Sequence, residues 1–188
     1  MIEYTPKNRH NPKIADDKSS AWGDIPSIIK DIIDNFKIET KKCIEFGVEF
    51  GYSTSAFANY FDEVIGVDTF VGDAHTGHKG YHFNETSERL SVYPNIKLVE
   101  SDYNEFITKY ESYGIFDMSH VDIVHTYEDT YKCGEWCVRN SKITLFHDTE
   151  SFKDVRRACE DLSNAYGCEF YNYPHSNGLG ILVNRNLF

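Results

Sequence analysis

Two stretches of the sequence set carboxylates beside imidazoles. Asp122 closes Phe116-Asp-Met-Ser-His-Val-Asp122 and His125 follows three residues later, while His147 and Asp148 close Ile143-Thr-Leu-Phe-His-Asp148. If the two runs are neighbouring strands, both carboxylates reach one cleft at the carboxyl edge of a sheet, where ligands of such sheets bind. Carboxylates with imidazoles suit Mn²⁺, Fe²⁺ or Zn²⁺, whereas an all-oxygen set better suits Mg²⁺. A divalent metal held among these groups would lower the pKa of a bound hydroxyl and orient it. His125 and His147 are also candidate general bases, because an unperturbed imidazole titrates near neutrality. The plainer alternative is that Asp148 and Ser151 cap the next helix and Asp122 only starts a turn.

A second set of residues surrounds Cys43-Ile-Glu45-Phe-Gly47-Val-Glu49-Phe-Gly51-Tyr-Ser53. Gly47 and Gly51 permit a tight turn close to a ligand, and Ser53 is placed to cap the helix that follows. Asp68 ends the run Val64-Ile-Gly-Val-Asp68, 21 residues after Gly47. An acid at about that spacing is placed to accept hydrogen bonds from ribose hydroxyls. Dinucleotides call for G-x-G-x-x-G, so that pyrophosphate can approach bare backbone; here Glu49 stands at the second glycine position. Like charges ~4 Å apart at an effective dielectric near 20 repel by about 4 kcal/mol. Glu45 and Glu49 therefore oppose a diphosphate and suit a cationic, phosphate-free donor such as S-adenosylmethionine.

The elements that must position these groups alternate. Apolar runs occur at Lys42–Phe46, Val64–Val67, Ile96–Val99, Phe116–Val121 and Ile143–Phe146. Between them lie segments of helical size at Ser53–Tyr60, Asp102–Tyr110, Tyr127–Val138 and Ser151–Tyr166. Ahead of them Ile25, Ile28, Ile29, Ile32, Ile33 and Phe36 recur at helical spacing behind Asp24, a plausible cap, with Pro26 in the first turn. The chain closes on Glu169–Tyr173 and Leu179–Asn184, joined by Pro174-His-Ser-Asn-Gly178, a hairpin signal. This pattern predicts one α/β domain over residues 21–188, a doubly wound, mostly parallel sheet with a C-terminal antiparallel hairpin, and an irregular arm over residues 1–20.

The 188 residues carry 30 acidic and 19 basic side chains, a net charge of -11. That field disfavours nucleic acid, and no run approaches the ~20 apolar residues of a membrane span. The polar start lacks the apolar core of a secretory signal. Five cysteines without a C-x-x-C pair predict reduced, buried thiols and a cytoplasmic protein; Cys133 and Cys137, four apart on one helix, are read as core. The loop Val71–His82 holds His75, His78 and His82 among glycines. Gly77 and Gly80 argue against the helix that three-histidine ligation at this spacing would need, so the loop is read as a lid, with Tyr81 and His82 able to stack on a ligand ring.

Taken together, Glu45-Phe-Gly-Val-Glu-Phe-Gly-Tyr-Ser53, Val67-Asp-Thr-Phe-Val-Gly-Asp-Ala-His75, His120-Val-Asp-Ile-Val-His-Thr-Tyr127 and Phe146-His-Asp148 resemble the class I S-adenosylmethionine-dependent methyltransferases. More narrowly they are similar to the small-molecule and sugar O-methyltransferase-like group, in family order over residues 21–184. The resemblance implies that Glu45, Gly47 and Ser53 line the methionine part of the cofactor, with Gly51 and Thr69 also among the cofactor-binding residues. Asp68 would hold the ribose, and Ser101 and Asp102 would contact the adenine. It also implies a Mg²⁺ or Mn²⁺ site of the kind some relatives carry, at Asp122, His147 and Asp148, and a sugar or secondary metabolite as acceptor. Ile123 in place of a glycine, Cys133 in place of an acid, and Asn140-Ser-Lys142 in place of a glycine pair depart from the group. Specificity is expected from loops 71–83 and 172–178 or from a partner subunit in a homo-oligomer. Two other classes stay open: a nicotinamide-dependent oxidoreductase, and a catalytically silent cofactor-binding or assembly protein that kept the fold.

Overall fold

The computed structural model describes residues 1–15, 20–72, 80–110 and 114–188. Among them, eight strands form one sheet: β1 (Ile2–Glu3), β2 (Lys42–Phe46), β3 (Glu63–Asp68), β4 (Ile96–Glu100), β5 (Phe116–Val121), β6 (Ser141–His147), β7 (Glu169–Tyr173) and β8 (Leu179–Val183). The order is β1-β7-β8-β6-β5-β2-β3-β4, and only β8 runs against its neighbours. The C-terminal hairpin is thus inserted between β6 and the edge, and β1 pairs in parallel beyond it through Ile2–Tyr171 and Glu3–Asn172. The expected irregular arm accordingly contributes a strand. Tyr4 is buried against Phe36 and donates to Asp31 at 2.6 Å, which fastens the segment.

Alternation along each strand sorts the core into two layers. Cys43, Met118, Ile143 and Leu145 face Trp22, the helix α1 (Ile29–Phe36) and Phe57 of α2 (Tyr52–Ala58). Ile44, Phe46, Val121 and Phe146 face α4 (Tyr103–Lys109), α5 (Tyr127–Asn140) and α6 (Lys153–Tyr166) through Phe106, Trp136 and Leu162. Helix α3 (Phe83–Leu90), which the sequence reading does not single out, precedes β4. All five cysteines are free and buried, and no helix of the described residues is long and apolar enough to cross a membrane.

Local expectations fail at three helix starts. A 3-10 turn at Ile25–Ile28 precedes α1 and Asp24 makes no side-chain cap; its carboxylate accepts from Arg9, Tyr173 and Ser176 instead. Helix α2 begins behind Gly51, and Ser53 does not cap it. Helix α6 begins behind Phe152, so neither Asp148 nor Ser151 is its cap. In each case a tertiary partner or the chain's reversal competes successfully for the polar side chain.

Candidate functional site

The chain runs outward from β2 to β3 and β4 on one side and from β5 to β6 on the other, so a switch point lies between β2 and β5. Both chemically active sets converge there. Gly47 has φ +90, and a Cβ on it would fall 1.8 Å from the Asp122 carbonyl oxygen. Only glycine lets the first turn lie against the end of β5, where the Asp122 N–H donates to Phe46 O at 2.9 Å.

Asp68 holds that turn. Its Oδ2 accepts from the Val48 and Glu49 N–H groups at 2.7 and 2.8 Å, and Oδ1 from Phe70 N–H at 2.7 Å. Glu49 and Phe70 take left-handed φ values of +51 and +55, a cost for side-chain-bearing residues that these bonds offset. Thr69 follows β3 directly, and Ser101 donates its N–H to Asp68 O at 2.9 Å. Asp102 is an N-cap, accepting from Asn104 N–H at 2.8 Å at the start of α4.

Glu45 sits differently from the expectation. It is fully buried, and its carboxylate accepts from Ser53 Oγ and Thr54 Oγ1 and lies 2.9 Å from His120 Nδ1. Glu45 and Ser53 therefore bind the first turn to α2 and β5 here instead of lining the cleft. A buried carboxylate must be paired in this way. The spacing that places His120 and Asp122 on one face of a strand was available in the sequence; that Glu45 lies opposite His120 is a matter of register.

Beyond this pair lies the carboxylate–imidazole cluster. His125 Nε2 lies 2.9 Å from Asp148 Oδ2 and 3.6 Å from Asp122 Oδ1. His147 Nδ1 lies 3.2 Å from Asp122 Oδ2 and 3.3 Å from Asp148 Oδ2. Asp122, His125 and Asp148 offer donor atoms all within 4.8 Å of one another, a set fit for a divalent ion. This set exchanges the expected His147 for His125. His147 keeps its Nδ1 on the same carboxylates but is anchored through Nε2, 3.1 Å from the Ser176 carbonyl oxygen.

Local structure aims each group. Thr126 caps α5, accepting from Asp129 N–H at 3.1 Å, and so fixes the residue before it. The His125 ring stacks on Phe152 with centroids 4.1 Å apart and planes 8° from parallel. Asp148 has φ +64, outside the ordinary range for a non-glycine residue. Trp22 covers the cluster from the α1 side, its ring 4.9 Å from that of His120 and 6.2 Å from that of His147. Trp22 Nε1 and His120 Nε2 are buried without a hydrogen-bond partner among the described residues, which marks polar capacity that a bound molecule could meet.

The electrostatics follow from proximity. Burial pushes the Asp122 carboxyl upward, but His147 and His125 outweigh it and hold it far below the usual carboxylate range. Burial would likewise raise Asp148, yet hydrogen bonds from His125 and His147 hold it low. For His125 burial acts downward, and the bonds to Asp122 and Asp148 lift it to about 9. For His147 burial again acts downward and the Asp122 charge prevails, lifting it to about 10. Both shifts favour the protonated form of the imidazoles at neutral pH.

His82 does not await a ligand ring: it is buried against Phe50 and Phe70, with centroids 4.7 and 5.9 Å away. Tyr81 is exposed and donates to Glu100 at 2.8 Å. His75, His78 and most of the expected lid lie outside the described residues.

No protein-family model and no curated protein matches the sequence. Solved structures do resemble the fold. An O-methyltransferase from Bacillus cereus in complex with S-adenosylhomocysteine aligns over 89% of this chain and 83% of its own, at TM-score 0.62 and 13% identity. A methyltransferase from Podospora anserina, also bound to S-adenosylhomocysteine, covers 89% and 80% at TM-score 0.63 and 14% identity. The N-methyltransferase NodS from Bradyrhizobium japonicum covers 79% and 88% at TM-score 0.56 and 12% identity. At these identities the likeness establishes the fold alone, a Rossmann-like α/β sheet.

Proposed function

We propose that the chain is an S-adenosylmethionine-dependent methyltransferase that methylates a hydroxyl of a small molecule, with a divalent cation at Asp122, His125 and Asp148. The observation that carries the reading is the convergence of these three donors on the switch point of a sheet whose solved likenesses hold S-adenosylhomocysteine. The likeness to an N-methyltransferase means that the fold does not choose the acceptor atom; the metal-type donor set favours oxygen. By resemblance the hydroxyl belongs to a sugar or secondary metabolite. Nucleic acid and membranes are not proposed as partners, given the charge of -11, and buried thiols suit the cytoplasm.

The sulfonium donor supplies an activated methyl group: the S–CH₃ bond breaks as the O–CH₃ bond forms, leaving S-adenosylhomocysteine, a methyl ether and a proton that passes to solvent water. The turn Gly47–Gly51, locked by Asp68, positions the donor, and holding the two reactants in line is worth up to ~7–11 kcal/mol. A divalent cation would be held by Asp122, His125 and Asp148 and would supply Lewis acidity toward the acceptor oxygen. The reading that a cation fits is supported by donor atoms of Asp122, His125 and Asp148 that all lie within 4.8 Å of one another. Asp148 and His147 keep the acceptor side of the cleft polar, and Trp22 and Phe152 wall it off.

Asp148→Asn tests the reading, since asparagine tolerates the left-handed backbone but removes the charge. S-adenosylhomocysteine should bind within two-fold of wild type by calorimetry, while transfer to small hydroxyl compounds falls by about 10²-fold or more. An unchanged rate would remove the metal-assisted mechanism. Tight binding of NADH with no binding of S-adenosylhomocysteine would favour the oxidoreductase instead.

A further inference from the structure

Beyond β6 the chain leaves the sheet at Asp148, and the C-terminal hairpin grips it there. Ladder pairing between β6 and β8 ends at His147–Leu179, so Asp148 lies past the last rung. It takes φ +64, while Ser176 and Asn177 of the hairpin loop take +52 and +64. Three of the six left-handed non-glycine residues among those described therefore belong to one junction. Conformations of this kind are costly and persist only where the surroundings over-determine them.

The determining bonds come from the hairpin. The Asn177 carbonyl accepts from the Glu150 and Ser151 N–H groups at 2.8 and 3.2 Å. Thr149 Oγ1 donates to Asn172 Oδ1 at 2.6 Å, and Asn172 Nδ2 donates to Glu150 Oε1 at 2.7 Å. Asn172 belongs to β7, and β8 lies between it and β6. Two strand spacings, ~10 Å, must therefore be bridged. The residue paired with Asn172 on β8 is Gly180, and a Cβ there would fall 3.0 Å from Thr149 Cγ2. The amide thus crosses β8 at the position where that strand carries no side chain. Thr149 and Asn172 are both buried, so each satisfies the other where water does not reach.

We propose that Asn172 is a positioning residue: through Thr149 it holds Asp148 in the left-handed conformation that keeps its carboxylate in the three-donor set with Asp122 and His125. The inference rests on the cation reading above for its purpose, and on backbone geometry for its operation. Asp148 Oδ2 lies 2.9 Å from His125 Nε2. Relaxing Asp148 to a negative φ would turn its Cβ and carry that oxygen away from the set. A donor released in this way must be ordered again when a cation binds, and the cost is read as lost affinity. The side-chain bonds of Asn172 go to Thr149 and Glu150 rather than to the turn Gly47–Gly51, so donor binding should not follow the same change.

Titration of the EDTA-treated full chain with Mn²⁺, read by the paramagnetic resonance of the free ion, tests this, with S-adenosylhomocysteine binding followed in parallel. Thr149→Val removes the hydroxyl and strands Asn172 Oδ1, and should weaken Mn²⁺ about ten-fold. S-adenosylhomocysteine should stay within about two-fold of wild type, and Thr149→Ser, which keeps the hydroxyl, should hold Mn²⁺ within about three-fold. If Thr149→Val fails to fold, Asn172→Ala should show the same selective loss. Unchanged Mn²⁺ affinity in Thr149→Val and Asn172→Ala, or a loss in Thr149→Ser as large as in Thr149→Val, would overturn the assignment while leaving the cation reading intact. Failure of wild type itself to bind Mn²⁺ sinks the cation reading, and crystal structures of the metal-free variants then decide the positioning alone. Asp148 departing from positive φ supports it; Asp148 kept there, with its carboxylate beside His125, overturns it.

Discussion

Asp122, Asp148, His125 and His147 form a cluster in which carboxylates and imidazoles pair, and its pH dependence follows. The two imidazoles have folded values of about 9 and 10, above the ordinary 6.5. Their contribution to stability is complete below pH 6.5 and is lost as pH rises through 9 to 10. The two carboxylates are depressed, so their contribution is present above the usual carboxylate range and is lost as pH falls below it. In EDTA, the urea midpoint of wild type should therefore decline between pH 6.5 and 9.5, and His125→Gln should flatten that decline. Mn²⁺ must displace these protons, so its affinity should rise over the same window. An alkaline limb that is identical in His125→Gln, together with pH-independent Mn²⁺ affinity, would contradict the assigned pairing. At this scale the sequence supplied the chemical types and even the i,i+3 placement of His125. It did not disclose that His125 rather than His147 completes the three-donor set, because that depends on Phe152 stacking and on the Ser176 carbonyl, both distant in the chain.

Among the elements, the turn after β2 is the most constrained. Gly47→Ala brings a methyl group into the Asp122 carbonyl at a positive φ, and backbone on both sides leaves little to yield. A loss of about 2–4 kcal/mol in urea unfolding is expected, combining strain with overpacking. Gly51→Ala, also at positive φ, meets only the Leu90 side chain, which can move aside, and should cost less. Equal losses would show that the contact with β5 is unimportant. The turn itself was legible from two glycines and an acid 21 residues beyond the first. The fate of its polar side chains was not: Glu45 and Ser53 both look available in sequence, and both are drawn inward because His120 lies opposite Glu45 across the β2–β5 pair.

For the molecule as a whole, the arm belongs to the fold. Tyr4 is 5% exposed, packs on Phe36 and donates to Asp31, which also accepts from the Lys7 and Asn8 N–H groups. Tyr4→Ala should cost about 3 kcal/mol by loss of buried ring and hydrogen bond, measured by urea unfolding. A cost below about 0.5 kcal/mol, the range of ordinary surface changes, would mean that the arm is loosely held. The arm also reaches the C-terminal hairpin, since Asp24 accepts from Arg9 and from Ser176, whose carbonyl oxygen lies 3.1 Å from His147 Nε2.

Strand and helix alternation, the parallel sheet, the glycine turn after β2 and the types of the clustered side chains follow from local periodicity and from residue chemistry, both of which a linear chain displays. Which polar groups meet and which are buried depend on strand register and on contacts such as Asp24 with Ser176, 152 residues apart. Such pairings arise only when the chain closes on itself, because no local interaction fixes the distance between segments so far separated in sequence.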